Sequence, residues 1–261
     1  VIKSEQLREF AVTGYLLLPG VVPEPLLAAA DREIDALIAA DPPEAGTAGP
    51  HFYFRPPVDL PAADRALRES GALSAAAELV APLRLDHGFG HIQVALSVPP
   101  FDHRPGSPHI DGHRPELQRP DSFTMLAGIV LTDETRPGHG NLWIWPGSHL
   151  THQDYLREHG ARAFLPVSGQ PGLLAQPPSY SGEPFPLLAA RGDLLLAHYL
   201  LGHNIGGNTS DRVRRMLYYR LTCTGHEARW AATCTDAFTE YEPVRAAVAR
   251  PEYRLPCSPR G

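Results

Sequence analysis

Arg191-Gly192-Asp193-Leu194-Leu195-Leu196-Ala197 leads to Gly202-His203-Asn204 and then, after Asn208-Thr209-Ser210-Asp211, to Val213-Arg214-Arg215-Met216-Leu217-Tyr218-Tyr219. Two apolar runs of strand length, bounded by Gly, Asn, Asp and Ser, read as strands joined by a turn. The first is expected to end at Gly202-His203-Asn204, so that a hairpin brings the start of the second beside His203. Side chains alternate along a strand, which puts Arg214, Met216 and Tyr218 on one face and Arg215, Leu217 and Tyr219 on the other. Working outward, similar segments recur at Phe89 to Val98, Phe123 to Leu131 and Gly140 to Trp145. Strands at this density, with turn residues between them, predict an antiparallel sandwich or barrel beginning near Leu83.

The N-terminal third has a different period. Ser4 is placed to cap a helix that runs to Gly14, and Tyr15 to Pro19 reads as a short buried strand. Leu26, Leu27, Ala30, Ile34, Leu37 and Ile38 follow helical spacing behind Pro23 and Pro25. Residues 41–62 carry six prolines and are expected to form a long loop, and one helix is expected from Ala62 to Val80. Residues 150–188 are rich in Pro, Gly and Ser; an irregular loop of that length suggests a lid. The expected organisation is one domain over residues 1–261. It divides into a mostly helical part (1–82), a β core (83–223) with the lid-like loop, and a C-terminal extension (224–261).

Composition narrows the class. The chain has 261 residues, enough for a substantial core, with 28 prolines and 23 glycines that favour short strands over long helices. A net charge of −6 without a basic block argues against nucleic acid as a partner. No apolar run is long enough to span a bilayer as a helix, and Val1-Ile2-Lys3-Ser4-Glu5-Gln6 lacks the features of a signal peptide. Cys223, Cys234 and Cys257 are widely spaced and odd in number, so neither a disulfide framework nor a zinc knuckle is indicated, and a cytoplasmic location is expected.

Thirteen histidines invite a search for ligands. In extended backbone His109 and Asp111 project together while Ile110 turns away. Taken alone, that tripeptide equally describes a hydrogen-bonded structural pair. With His203, however, it supplies two imidazoles and one carboxylate, the facial set that leaves three positions open on a non-haem iron. His113 and His198 are rivals as ligands, and His149 is expected to be structural. Arg214 follows His203 by eleven residues. An arginine pointing into a barrel cannot lose its proton and requires an anion, best a carboxylate. Of Arg212, Arg214 and Arg215, at least two are expected at the surface or in salt bridges. Trp143 and Trp145 share a strand face, with core packing expected for at least one.

Four landmarks in order resemble the phytanoyl-CoA dioxygenase family of Fe(II)- and 2-oxoglutarate-dependent oxygenases over nearly the whole chain. They are Phe10 to Leu16, Pro108-His109-Ile110-Asp111, Gly140 to His149 with its Pro-Gly-Ser-His turn, and Gly202-His203 through Asn208, Ser210 and Arg214. The resemblance implies a mainly β fold, a double-stranded β-helix (jelly roll, cupin-like) core with flanking helices. It also implies that His109, Asp111 and His203 bind Fe(II), that Arg214 holds the distal carboxylate of 2-oxoglutarate, and that O2 is the oxidant. Gln93 resembles a position that faces co-substrate or substrate, against the alternative of a surface glutamine. Thr124 is a further candidate donor to a carboxylate. The residue two past the distal histidine is often serine in the family and is Ile205 here, which removes a hydroxyl contact.

A carboxylate at Asp111, where related halogenases carry a small residue, disfavours halogenation. The implied reaction is hydroxylation of a small molecule, with ring closure, desaturation or epoxidation using the same residues. A natural-product intermediate such as a sugar-containing antibiotic precursor is the expected substrate; no basic cluster suits a fatty acyl-CoA. The alternatives are a metabolite-binding protein on the same barrel and a metal-dependent enzyme of another class.

Overall fold

A computed structural model of the chain describes residues 1–112, 119–164, 178–180 and 182–249. Helix α1 (Ser4–Thr13) stops at Gly14, whose φ of 83° is left-handed and whose N–H returns to Phe10 O. Ser4 is the first helical residue and not the cap. The backbone N–H of Lys3 is instead held by the Gln6 side chain at 2.9 Å. Strand β1 (Tyr15–Leu18) and helix α2 (Glu24–Ala40) follow as the sequence pattern predicts.

Two expectations for this third fail. The loop assigned to 41–62 contains strand β2 (Gly49–Arg55). Pro50 obscured it, yet among the described residues β2 pairs only with β3 and lies at a sheet edge, where a missing N–H costs no ladder bond. The single helix expected from Ala62 to Val80 is two, α3 (Pro61–Glu69) and α4 (Ala72–Val80), broken at Gly71, which has φ 93°.

Strands β3 (Leu85–Val98), β4 (Met125–Val130), β5 (Leu142–Ile144), β6 (Phe185–Pro186), β7 (Leu194–His198), β8 (His203–Ile205) and β9 (Arg214–Cys223) form two antiparallel sheets. The larger has the order β1-β7-β4-β9-β3-β2 and the smaller β6-β5-β8. Their crossing connections give the jelly-roll core. Strand β3 begins before Phe89 and carries a register shift between His87 and Ile92.

Alternation along the strands divides the interior. Ile92, Val94, Ala127, Ile129, Leu194, Leu196, Leu217 and Tyr219 pack with α1–α4 on one face of the large sheet. Ala95, Leu126, Val130, Leu195, Met216 and Tyr218 face the small sheet and meet Leu142 and Ile144. Each fully buried Leu or Ile contributes roughly 1.5–3 kcal/mol, so both layers resist separation.

His203 does not end β7. The chain turns at Tyr199-Leu200 and crosses to the small sheet, so His203 opens β8 and there is no hairpin with β9. Asn208 pins the connection, donating to Ser97 O at 2.7 Å and Arg212 O at 3.0 Å. The segment read as an irregular lid begins inside helix α5 (Ser148–His159) and a 3-10 turn (Ala161–Phe164); residues 165–177 and 181 lie outside the described residues. The C-terminal extension folds as α6 (His226–Thr235) and α7 (Glu242–Val248), and Ala237, Phe238, Tyr241 and Val244 join the larger core. No helix of the described residues is long and apolar enough to cross a membrane.

Candidate active site

A cavity of about 710 Å³ lies between the sheets and is lined from β2, β3, residues 109–112, β8 and β9. One wall holds His109, Asp111 and His203. The two histidines face each other across an isolated antiparallel bridge, His109 N to His203 O at 2.9 Å and His203 N to His109 O at 3.1 Å. This bridge, rather than a full strand, gives the extended backbone that aims His109 and Asp111 together and buries Ile110 at 1% exposure. Nε2 of each histidine is 3.6 Å from Asp111 Oδ1, and one ligand atom from each of the three residues lies within 4.8 Å of the others.

This donor set fits a divalent transition metal. Three nitrogen and oxygen atoms converge at a spacing that bonds of roughly 2.0–2.2 Å can reach. His203 Nδ1 lies 3.0 Å from Leu201 O, so it carries the proton, and Nε2 presents its lone pair to the site. Burial, then the neighbouring His203, pushes His109 down from the ordinary histidine value, favouring the neutral form a metal needs. Burial works against a charged His203 as well, but the neighbouring Asp111 carboxylate outweighs it and the net shift is upward. Burial opposes ionisation of Asp111 too; the charge of Arg220 beside Oδ2, helped by the two imidazoles close to Oδ1, overcomes it and holds the carboxyl well below the usual range.

Arg220 is the residue sequence reading missed. Its Nη2 donates to Asp111 Oδ2 at 2.6 Å and to Gln93 Oε1 at 3.0 Å. Its position was legible in the period-two pattern, since residues 214, 216, 218 and 220 of β9 share the cavity face. Gln93 is therefore inside the cavity at 8% exposure and not on the surface.

Arg214 also lines the cavity, but it already has an anion. Nε and Nη2 are 2.7 and 3.2 Å from the two oxygens of Glu134, and Nη2 also reaches Tyr218 Oη at 3.2 Å and Met216 Sδ at 2.9 Å. Glu134 is 2% exposed and its part was not foreseen. The other two arginines behave as expected: Arg215 pairs with Asp31 and Asp35, and the exposed Arg212 with Asp211.

Thr124 is not brought into the cavity. Its hydroxyl donates to Glu240 at 2.6 Å and accepts the Cys223 N–H at 2.9 Å, on the side of the sheet facing α6 and α7. Parity explains the miss: Thr124 shares a face with the buried Leu126 only if β4 begins early, and the strand begins at Met125. His198 is no ligand either, because Nε2 bonds Ala237 O at 2.7 Å and Nδ1 accepts the Leu200 N–H at 2.9 Å. His149 is fully buried and bonded to Ala11 O, and Trp145 is core at 3% exposure. Ile205 stands on the cavity wall. His113 lies outside the described residues.

Comparison with known structures places the fold. HygX from Streptomyces hygroscopicus, solved with nickel and 2-oxoglutarate, superposes with a TM-score of 0.58 at 19% identity, covering 86% of this chain and 88% of its own. The non-heme alpha ketoglutarate dependent carbocyclase SnoK from nogalamycin biosynthesis gives 0.60 at 20% identity, covering 87% and 90%. The epimerase SnoN, in complex with Fe3+, alpha ketoglutarate and nogalamycin RO, gives 0.58 at 20%, covering 84% and 83%. No curated protein sequence matches the chain. The profile of the phytanoyl-CoA dioxygenase (PhyH) family matches residues 10–216, a span that takes in the triad, the Pro-Gly-Ser-His turn and Arg214. The chain thus belongs to the phytanoyl-CoA dioxygenase family and is a dioxygenase dependent on iron and 2-oxoglutarate.

Proposed function

We propose that His109, Asp111 and His203 hold the iron, that Arg214 with Tyr218 receives the distal carboxylate of 2-oxoglutarate, and that the enzyme hydroxylates or cyclises a natural-product intermediate. The observation carrying this reading is that the three converging ligand atoms and a buried arginine line the same cavity. At about 710 Å³ that cavity lies within the roughly 300–1,000 Å³ range of drug-sized sites, leaving room for a substrate beside the co-substrate. HygX has been solved with hygromycin B and SnoN with nogalamycin RO, which supports an antibiotic precursor as the substrate class.

When bound, iron with 2-oxoglutarate supplies the oxidising chemistry. The chain's own residues position and insulate. Arg220 occupies Asp111 Oδ2, so the carboxylate offers the metal a single oxygen, Oδ1. The Leu201 carbonyl fixes the His203 tautomer. Leu126, Leu142 and Ile205 give the cavity apolar walls that limit water around the reacting centre. The buried thiols of Cys223 and Cys234, free among the described residues, support a cytoplasmic enzyme.

The test is anaerobic addition of Fe(II) and 2-oxoglutarate, with a visible charge-transfer band expected. Arg214→Ala is expected to weaken 2-oxoglutarate binding at least about tenfold, because it removes the cation and leaves the buried Glu134 carboxylate uncompensated beside the incoming ligand. No band, or a band and affinity indifferent to Arg214→Ala, overturns the assignment. Succinate release across a panel of antibiotic precursors, including intermediates of the hygromycin and nogalamycin kind, then identifies the substrate.

A further inference from the structure

Arg214 is not an uncommitted cation awaiting a ligand. Glu134 grips it side-on through Nε and Nη2, and this carboxylate is as buried as the guanidinium it neutralises, with side-chain exposures of 3% and 7%. Tyr218 and Met216 take further contacts from Nη2, which leaves Nη1 as the guanidinium nitrogen without a protein partner among the described residues. Arg214 and Tyr218 line the cavity while Glu134 stands behind them, held by its own backbone pairing with Ala189. A carboxylate arriving from the cavity therefore meets an ion pair of zero net charge. It would place a second negative group against the same guanidinium, in a region where water screens little.

We propose that Glu134 is a resident carboxylate competing with the distal carboxylate of 2-oxoglutarate for Arg214, and that it thereby sets the affinity for the co-substrate. The inference rests on the reading of Arg214 as the co-substrate arginine. A benefit to the protein is clear, since a guanidinium buried without any counter-charge would cost several kcal/mol of folding stability. Burial, the largest influence on Glu134, pushes its carboxyl above the ordinary range even though Arg214 pulls the other way, consistent with a pocket that resists extra negative charge. The consequence is a co-substrate site that is stable when empty of ligand charge and deliberately weak for a dicarboxylate.

Calorimetric titration of the Ni(II)-loaded protein with 2-oxoglutarate tests this without turnover. Glu134→Gln keeps an acceptor for Nε and removes the charge, and is expected to tighten binding about tenfold or more, the lower end of what a charged pair is worth. A dissociation constant that is unchanged or higher in Glu134→Gln overturns the proposal. A second measurement needs only the wild-type protein. 2-Oxovalerate has the same chain with a methyl group in place of the distal carboxylate, and is expected to bind less than about tenfold more weakly than 2-oxoglutarate. A loss of about a hundredfold would mean that Arg214 is fully available, and would overturn the proposal even if Glu134→Gln failed to fold. If wild type binds no 2-oxoglutarate, or binds it as tightly after Arg214→Ala, both this inference and the underlying reading fall; the earlier outcomes remove this inference alone.

Discussion

Arg220 Nη2 lies 2.6 Å from Oδ2 of Asp111, while Oδ1 of the same carboxylate stands 3.6 Å from Nε2 of both His109 and His203. One oxygen is thus tied to a cation anchored on β9 and the other is turned toward the two imidazoles. The guanidinium fixes the rotation of the carboxylate and keeps it ionised, two conditions a metal ligand must meet.

Arg220→Ala is therefore expected to lower affinity for Ni(II) or Co(II) by about 10–100-fold, the usual effect of losing a partner that orients a ligand. Arg220→Lys, which restores charge without the planar fork, recovers part of that loss. Metal titration followed by absorbance decides the matter. Equal affinity in all three proteins would mean that Asp111 is oriented by its backbone alone.

Metal loading has a matching effect on the fold. A ligand that binds only the native state stabilises it by about 2.7 kcal/mol at a concentration a hundredfold above its dissociation constant, worth several degrees in Tm for a chain of this size. Co(II) is expected to raise the Tm of wild type and to leave His203→Ala unmoved. A rise in His203→Ala equal to that of wild type would remove His203 from the ligand set.

The order of landmarks made the triad legible. His109, Asp111 and His203 are two short words in the sequence, and a single backbone bridge between the histidines is enough to unite them. Gln93 was legible as a strand position, but its inward direction depends on the register of β3. Arg220 lay within reach of the period-two rule applied one step further. Glu134 did not, because it joins Arg214 across the fold from a connecting segment, and neither spacing nor periodicity links residues 80 apart in different elements. Thr124 failed for the opposite reason: a polar residue beside a strand gives no sign of which face it takes until the strand's first residue is fixed. Strand β2 was hidden by Pro50, since only the finished sheet shows that the strand is an edge.

Buried histidines outside the candidate metal site set a pH limit on stability. His152, bonded to Leu200 O and Tyr180 Oη, and His198, bonded to Ala237 O, are each lowered to about 4, chiefly by burial and partly offset by those backbone hydrogen bonds. Unfolded histidine titrates near 6.5, so between about 6.5 and 4 the unfolded chain binds protons that the folded chain refuses. Stability is then full above about pH 6.5 and falls as the pH drops toward 4, by up to ~3 kcal/mol for each residue. Urea denaturation at pH 7.5 and pH 5 is expected to give a lower midpoint at pH 5. His198→Gln, which retains a donor for Ala237, should flatten part of the slope, and a midpoint independent of pH contradicts this account.

Thr124 belongs to a buried polar network with Glu240, His226 and Ser122, in which His226 Nδ1 and Nε2 are each 2.9 Å from their partners. Thr124→Val removes a hydroxyl that both donates to Glu240 and accepts from Cys223 N. The expected cost is about 1–3 kcal/mol of stability, because groups are left buried and unsatisfied. Affinity for 2-oxoglutarate should not change. A weakened co-substrate affinity at unaltered stability would return Thr124 to the cavity.

Gly140 links the family's strand-and-turn segment to the arginine. Its φ of 79° is left-handed, and a Cβ there would stand 2.8 Å from Ser97 Cβ and 3.0 Å from Arg214 Cβ, both on strands of the large sheet. Gly140→Ala is expected to cost ~1–2 kcal/mol for the backbone conformation alone, with more for the contact, and to push Arg214 from its place between Glu134 and Tyr218. Gly71→Ala is the control: its φ is 93°, but nothing lies within 4 Å of the added carbon, so only the conformational part applies. Neither substitution touches the triad, so both proteins should bind Ni(II) as wild type does. Only Gly140→Ala should change affinity for 2-oxoglutarate. If the two variants lose the same stability and neither alters that affinity, Arg214 tolerates displacement, and the close approach of Gly140 serves packing rather than the co-substrate.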